Sequence, residues 1–130
     1  MNLHEYQGKS ILASYGVTVQ RGVVVDNAAD AMAKAKELQA ETGTEGIVIK
    51  AQIHAGGRGK GEVKETGSHG VVFCPSIDKL EDKVKGILGG HLVTKQTNAD
   101  GKKVNKVLLA EDVYYPGETE TSEIYMSVLL

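Results

Sequence analysis

Residues Ile47 to Lys64 read IVIKAQIHAGGRGKGEVK. Three β-branched residues open a strand that meets Lys50, and a loop carrying Gly56, Gly57, Gly59 and Gly61 follows. A lysine inside an apolar strand is costly unless its ammonium meets an anion or reaches water. Glycines lack Cβ, so their backbone can take φ > 0 and turn successive N–H groups toward a phosphate. Arg58 and Lys60 add positive charge, and along the chain the first carboxylate after the loop tip is Glu62. This is the composition of a flap over a polyphosphate, and Lys50 wants a partner.

Three other motifs fail on the letters. A Walker A loop has Gly, four residues, then Gly-Lys-Ser/Thr, whereas His54 holds the first position and Gly61 the last. A dinucleotide fingerprint opens a helix, but Gly57-Arg58-Gly59 runs into the strand-like GEVKE. An RGG-type RNA segment would repeat, and this one does not. The plain alternative is a mobile hairpin loop whose lysine snorkels to solvent. If the loop is mobile, Arg58 contributes less to binding than Lys50, since the loop must be ordered before Arg58 is used.

Outward from the loop, helices and strands alternate. Leu3, Tyr6, Ile11 and Leu12 recur at roughly helical spacing, with Asn2 as cap and Gly16 as stop, and predict an amphipathic first helix. Val17–Val25 reads as extended, and Asp26 or Asn27 is placed to cap a second helix whose Ala28, Met32, Ala35 and Leu38 share a face. GEVKE and HGVVFC, either side of Thr66-Gly67-Ser68, can pair as a hairpin. Pro75 and Ser76 start a third helix, with Ile77, Leu80, Val84 and Ile87 at helical spacing until Gly89-Gly90. HLVTKQT and KVNKVLLAE read as strands flanking the turn Asn98–Gly101, and SEIYMSVLL as a closing strand. The pattern predicts an α/β or α+β layer fold with a mixed sheet.

The 130 residues suffice for one core, 41% are apolar, and the net charge is −2. That balance argues against a polybasic surface for duplex nucleic acid or anionic lipid. No apolar run approaches the roughly 20 residues that span a bilayer, and MNLHEYQGKS lacks the basic and apolar regions of a signal peptide. A single cysteine, Cys74, suggests a reducing compartment. The apolar run ending at Leu130 reads as a chain cut within a strand.

Other chemistry-bearing residues are less specific. Glu111 ends an apolar strand, where an acid can accept from an adenine amino group or a ribose hydroxyl, or simply face solvent. Glu123 is equally ambiguous. His4, His54, His69 and His91 show no metal spacing, and Cys74 reads as a small buried hydrophobe.

Three stretches together are specific: MNLHEYQGKSILASYGV at the start, KAQIHAGGRGKG over Lys50–Gly61, and LVTKQTNADGKKVNKVLLAE over Leu92–Glu111. In this order they resemble the amino-terminal part of the β subunits of succinyl-CoA synthetases, also called succinate–CoA ligases, over essentially the whole chain. The resemblance implies the amino-terminal lobe of an ATP-grasp fold, with residues 1–130 forming the amino-terminal portion of that domain. The carboxyl-terminal lobe and the ligase domain would be absent.

It implies that Lys50 contacts nucleotide phosphates and that Gly57, Arg58 and Gly59 cover them. Glu111 would line the base and ribose pocket, and Glu123 and Tyr114 would be further nucleotide-binding residues. YYPGETETS makes the connection before Glu123 longer than the family pattern. Gln20 falls in the segment that approaches the base, and its carboxamide could read guanine or adenine equally well. The implied cofactors are ATP or GTP and Mg2+, with the metal ligands downstream of this chain. The implied partner is an α subunit carrying the phosphohistidine, and the full complex would bind succinate and CoA, in the cytoplasm or a mitochondrial matrix. No catalytic residue is expected here, so the chain alone should be inactive. The alternatives are a stand-alone nucleotide-binding module and the β subunit of a related ligase such as malate–CoA ligase.

Overall fold

The computed structural model describes residues 3–114, 122–124, 126 and 127. Of the expected closing strand over residues 122–130, residues 122–124, 126 and 127 are described and none of them is in a strand; the others lie outside the described residues. The described elements are α1 (Glu5–Ser14), β1 (Gly22–Val25), α2 (Ala31–Thr42), β2 (Ile47–Ala51), β3 (Glu62–Val63), β4 (Val71–Cys74), α3 (Leu80–Lys85), β5 (His91–Val93), β6 (Lys102–Lys103) and β7 (Val107–Glu111).

Two sheets form, ordered β1-β7-β2-β4 and β3-β5-β6. Every described pairing is antiparallel, which makes the fold α+β and removes the mixed sheet. β7, drawn from late in the chain, lies between β1 and β2, with Leu109 opposite both Val23 and Ile49. Along β2 the side chains alternate. Ile47, Ile49 and Ala51 are buried, and Val48 and Lys50 are half-buried on the other face. The core-facing set packs with Ala31, Ala35 and Leu38 of α2 and Leu80 and Val84 of α3. Lys50 therefore avoids the apolar core altogether. It emerges on the face where Glu5 of α1 meets it.

Several local signals act as read. Ser76 caps a 3-10 turn over Ile77–Lys79, accepting from the Asp78 N–H at 3.4 Å, and α3 continues from it. The regular helix stops at Lys85 rather than at Gly89-Gly90, though Ile87 is still fully buried. The cap of α2 is Asp30 rather than Asp26 or Asn27. Asn27 instead accepts from the Asp30 N–H at 3.0 Å and so builds the turn before the helix.

Three expectations are corrected. GEVKE and HGVVFC share only the bridge Glu62↔His69, because β3 pairs with β5 and β4 with β2. KVNKVLLAE is two strands, β6 in the small sheet and β7 in the large one. Finally, α1 is not buried along an apolar stripe. Ile11 and Leu12 are about half exposed, no residue of α1 is buried, and its cap is His4, with Gln7 Oε1 accepting from the His4 N–H at 2.9 Å. The helix is attached through Glu5, Tyr6 and Lys9 instead, whose partners are polar.

Candidate functional site

The glycine loop sits at the junction of the two sheets and is fixed at its far end. A Cβ on Gly61 would come 2.6 Å from the carbonyl oxygen of Val93. Its N–H donates to the Gly57 carbonyl at 3.0 Å, closing the loop tip into a turn. Gly57 has φ +77°, a conformation that L side chains rarely adopt, and this is where the backbone reverses. Among the described residues, no acceptor takes the N–H groups of Gly57, Arg58 and Gly59. They border an open cleft of about 640 Å³, lined also by Glu5, His54 and Gln96.

Behind the cleft lies a cluster of charges. Glu5 Oε1 accepts from Lys9 at 2.9 Å and from Lys50 at 3.1 Å, and Glu5 Oε2 accepts from Arg58 at 3.0 Å. Arg58 also donates through Nη1 to the Ala51 carbonyl at 2.7 Å. The arginine is thus anchored to the end of β2, which corrects the picture of a freely mobile flap. Three cations share one carboxylate, so the cluster keeps an excess of positive charge. Its electrostatics follow from that imbalance. Burial alone would raise the Glu5 pKa, but the contacts to Lys9 and Lys50 override it and hold the carboxyl at about 2. For Lys50, burial pushes the ammonium pKa down. Glu5 pulls it back, but Lys9 and Arg58 add to the lowering, and it stays below its ordinary value.

Gln20 joins this cluster to the end of β7. Its Oε1 accepts from Lys9 at 2.8 Å and from Lys50 at 2.9 Å, and its Nε2 donates to the Glu111 carbonyl at 2.6 Å. The Glu111 carboxylate in turn accepts from the Arg21 N–H at 2.6 Å. Lys50, Arg58, Gln20, Glu111 and Gly57–Gly59 are thereby brought into one region. Tyr114 and Glu123 are exposed and make no contact with it among the described residues; the Tyr114 N–H donates to Asp112 at 3.0 Å. Sequence reasoning missed Glu5 and Lys9. Their i,i+4 spacing on a helix was the available signal, but nothing local marks Glu5 as the partner of a lysine 45 residues later.

The ATP-grasp domain family matches residues 2–130. The chain belongs to that family. Within it, the chain is similar to the "Succinate--CoA ligase [ADP-forming] subunit beta" of Flavobacterium johnsoniae, 62% identical over all of this chain and 31% of that protein. The corresponding subunit of Christiangramia forsetii is 55% identical with the same coverage. The "Succinate--CoA ligase [GDP-forming] subunit beta, mitochondrial" of Dictyostelium discoideum is 45% identical over 29% of its length. The chain spans about 31% of the first two of these relatives.

Of the groups that an ATP-grasp protein handles, nucleotide phosphates fit a cleft with Gly57, Arg58 and Gly59 in its wall and Lys50 and Lys9 clustered on Glu5 beside it. Among the described residues no group of three or more His, Cys, Asp or Glu side chains could hold a metal ion. No described helix is long and apolar enough to cross a membrane. Cys74 is buried and donates to the Ser76 carbonyl at 3.0 Å, and burial raises its pKa, as suits a packed thiol rather than a nucleophile.

Proposed function

We propose that this chain is the nucleotide-phosphate-binding part of the β subunit of a succinate–CoA ligase, working with an α subunit in an enzyme that joins succinate and CoA at the expense of ATP or GTP. The observation that carries the reading is the excess of cations beside the cleft. Lys50 and Arg58 each keep N–H donors beyond those already used, and the N–H groups of Gly57, Arg58 and Gly59, in the wall of the cleft, have no acceptor among the described residues. In this reading Lys50 and Arg58 neutralise the phosphates, Gly57 to Gly59 cradle them, and Gln20 and Glu111 border the base and ribose. Tyr114 and Glu123 join the site when the rest of the grasp closes on it. The Mg2+ ligands, the second lobe and the ligase domain belong to the part of the relatives that this chain does not span.

Gln20 spends both ends of its amide on Lys9, Lys50 and Glu111. Its Oε1 is fully used, while Nε2 keeps a second N–H that can donate to an acceptor on the base. The relatives include both ADP-forming and GDP-forming enzymes.

The test is calorimetric titration of the protein with magnesium-ATP and magnesium-GTP, beside Lys50→Ala. Saturable binding that the variant weakens about tenfold or more supports the reading, in line with roughly 1.5–3 kcal/mol for a charge-assisted contact. Equal affinity of parent and variant would sink it. Thioester formation from succinate and CoA by these 130 residues plus an α subunit would refute the division of labour proposed here.

A further inference from the structure

A second pocket, of about 290 Å³, shares Ile53 and His54 with the glycine cleft but has different remaining walls. It is lined by His4, Lys102, Lys103, Asn105 and Lys106, and among the described residues no carboxylate lines it. Among the described residues none of the three lysines forms an ion pair. The Lys102 ammonium donates to the His54 carbonyl at 2.9 Å, and that of Lys106 lies 5.9 Å from the centre of the Tyr6 ring.

The two imidazoles are stacked, centroids 4.0 Å apart and planes inclined by 21°. His4 Nδ1 is buried without a hydrogen-bond partner. Burial first, and then His54, Lys106 and Arg58, hold the His4 pKa below its ordinary value. The contrast with the Glu5 cluster is instructive. There the fold supplies a carboxylate for its cations; here it gathers three ammonium groups and two imidazoles and supplies none. Lys102 and Lys103 are exposed and Lys106 half-buried, so solvent screens part of the mutual repulsion, and an anion shared between the ammonium groups would relieve the rest.

We propose that this pocket is a second binding site, for a phosphate-class dianion, held by the ammonium groups of Lys103 and Lys106 and the amide of Asn105 and separate from the nucleotide cleft. Inorganic phosphate and a phosphate monoester share that chemistry. The proposal does not depend on what the glycine cleft binds.

The test follows the imidazole Cε1–H resonances of His4 and His54 by NMR at constant ionic strength, titrating with inorganic phosphate and, separately, glycerol phosphate. The parent is compared with Lys50→Ala and with the double variant Lys103→Ala, Lys106→Ala, and magnesium-ATP affinity is measured on all three. The expected result is a saturable response that survives Lys50→Ala and weakens at least tenfold in the double variant, with magnesium-ATP affinity unchanged there. The His4 pKa should rise in saturating phosphate, since a bound dianion favours the imidazolium. Whichever probe saturates at lower concentration identifies the form of the ligand. The proposal is overturned if neither probe gives saturation in the parent, or if the response vanishes in Lys50→Ala. It is also overturned if the double variant loses magnesium-ATP affinity in step, which would mean one continuous site. A histidine response without magnesium-ATP binding would refute the nucleotide reading and leave this one standing.

Discussion

Replacing Glu5 with glutamine tests whether this one carboxylate holds the site together. The amide keeps the shape and one acceptor oxygen but removes the charge that faces Lys9, Lys50 and Arg58. In the folded protein the Glu5 pKa is about 2, against 4.5 in the absence of structure. A folded-state pKa below the unfolded one means that the carboxylate stabilises the fold above about pH 5, and that this contribution is lost as pH falls from there toward 2. At about 1.4 kcal/mol per unit the full shift corresponds to roughly 3 kcal/mol, which solvent at the half-open site reduces to roughly 2 kcal/mol. Glu5→Gln should therefore lower the urea-unfolding free energy by about 2 kcal/mol at pH 7. The gap between variant and parent should shrink to roughly 0.8 kcal/mol by pH 3, where the carboxyl is largely protonated in the unfolded chain but still mostly ionised in the folded one. Urea midpoints at pH 7, 5, 4 and 3 with unchanged slopes would measure this. A gap that stays constant with pH would show that the loss comes from packing, and the charge-cluster argument would fall.

Other substitutions probe neighbouring parts of the argument. Lys50→Met should leave stability unchanged or raise it by up to about 1 kcal/mol in thermal unfolding, because the fold holds this ammonium against burial and two other cations, while magnesium-ATP affinity falls at least tenfold; a destabilised variant would contradict it. Arg58→Ala should weaken magnesium-ATP binding within a few-fold of Lys50→Ala, since the arginine is already ordered by Glu5 and the Ala51 carbonyl; titration showing no loss would refute its role. Gly61→Ala places a methyl against the Val93 carbonyl and should cost about 1–3 kcal/mol in urea unfolding. A neutral result there would mean that β3 and β5 part easily.

What could be read from the letters was local. The strand Ile47–Ala51, the Ser76 cap, the helical face of Ala35 and Leu38, and the glycine turn each depend on residues within a few positions of one another. The errors share a different cause. Whether Glu62–Val63 pairs with the neighbouring β4 or with the distant β5 depends on which sheet closes the core, and the turn residues Thr66–Ser68 permit either. The change of sheet between Lys103 and Val107 falls at Val104-Asn105-Lys106, a mix of polar and apolar residues that one continuous strand also shows. Glu5 was passed over because its partners are Lys50 and Arg58, and the antiparallel pairing of β2 with β7 that holds Lys50 under α1 is invisible in either segment alone. Lys50 and the loop were identifiable as anion-seeking, since an unexplained lysine in a strand and a run of glycines are each unusual by themselves.

The polar attachment of α1 has a further consequence. Elements that bury no apolar side chains form the cooperative units that open first, at a small fraction of the global unfolding free energy. The amide protons of Glu5–Ser14 should exchange well before those of β2 and β7, whose side chains fill the core. Each such opening would withdraw Glu5 and Lys9 together, removing one negative and one positive charge and leaving Lys50 and Arg58 with no carboxylate. The breathing of one helix would thus set how strongly the cleft attracts an anion, and a bound polyanion and a docked α1 would each alter the other's equilibrium.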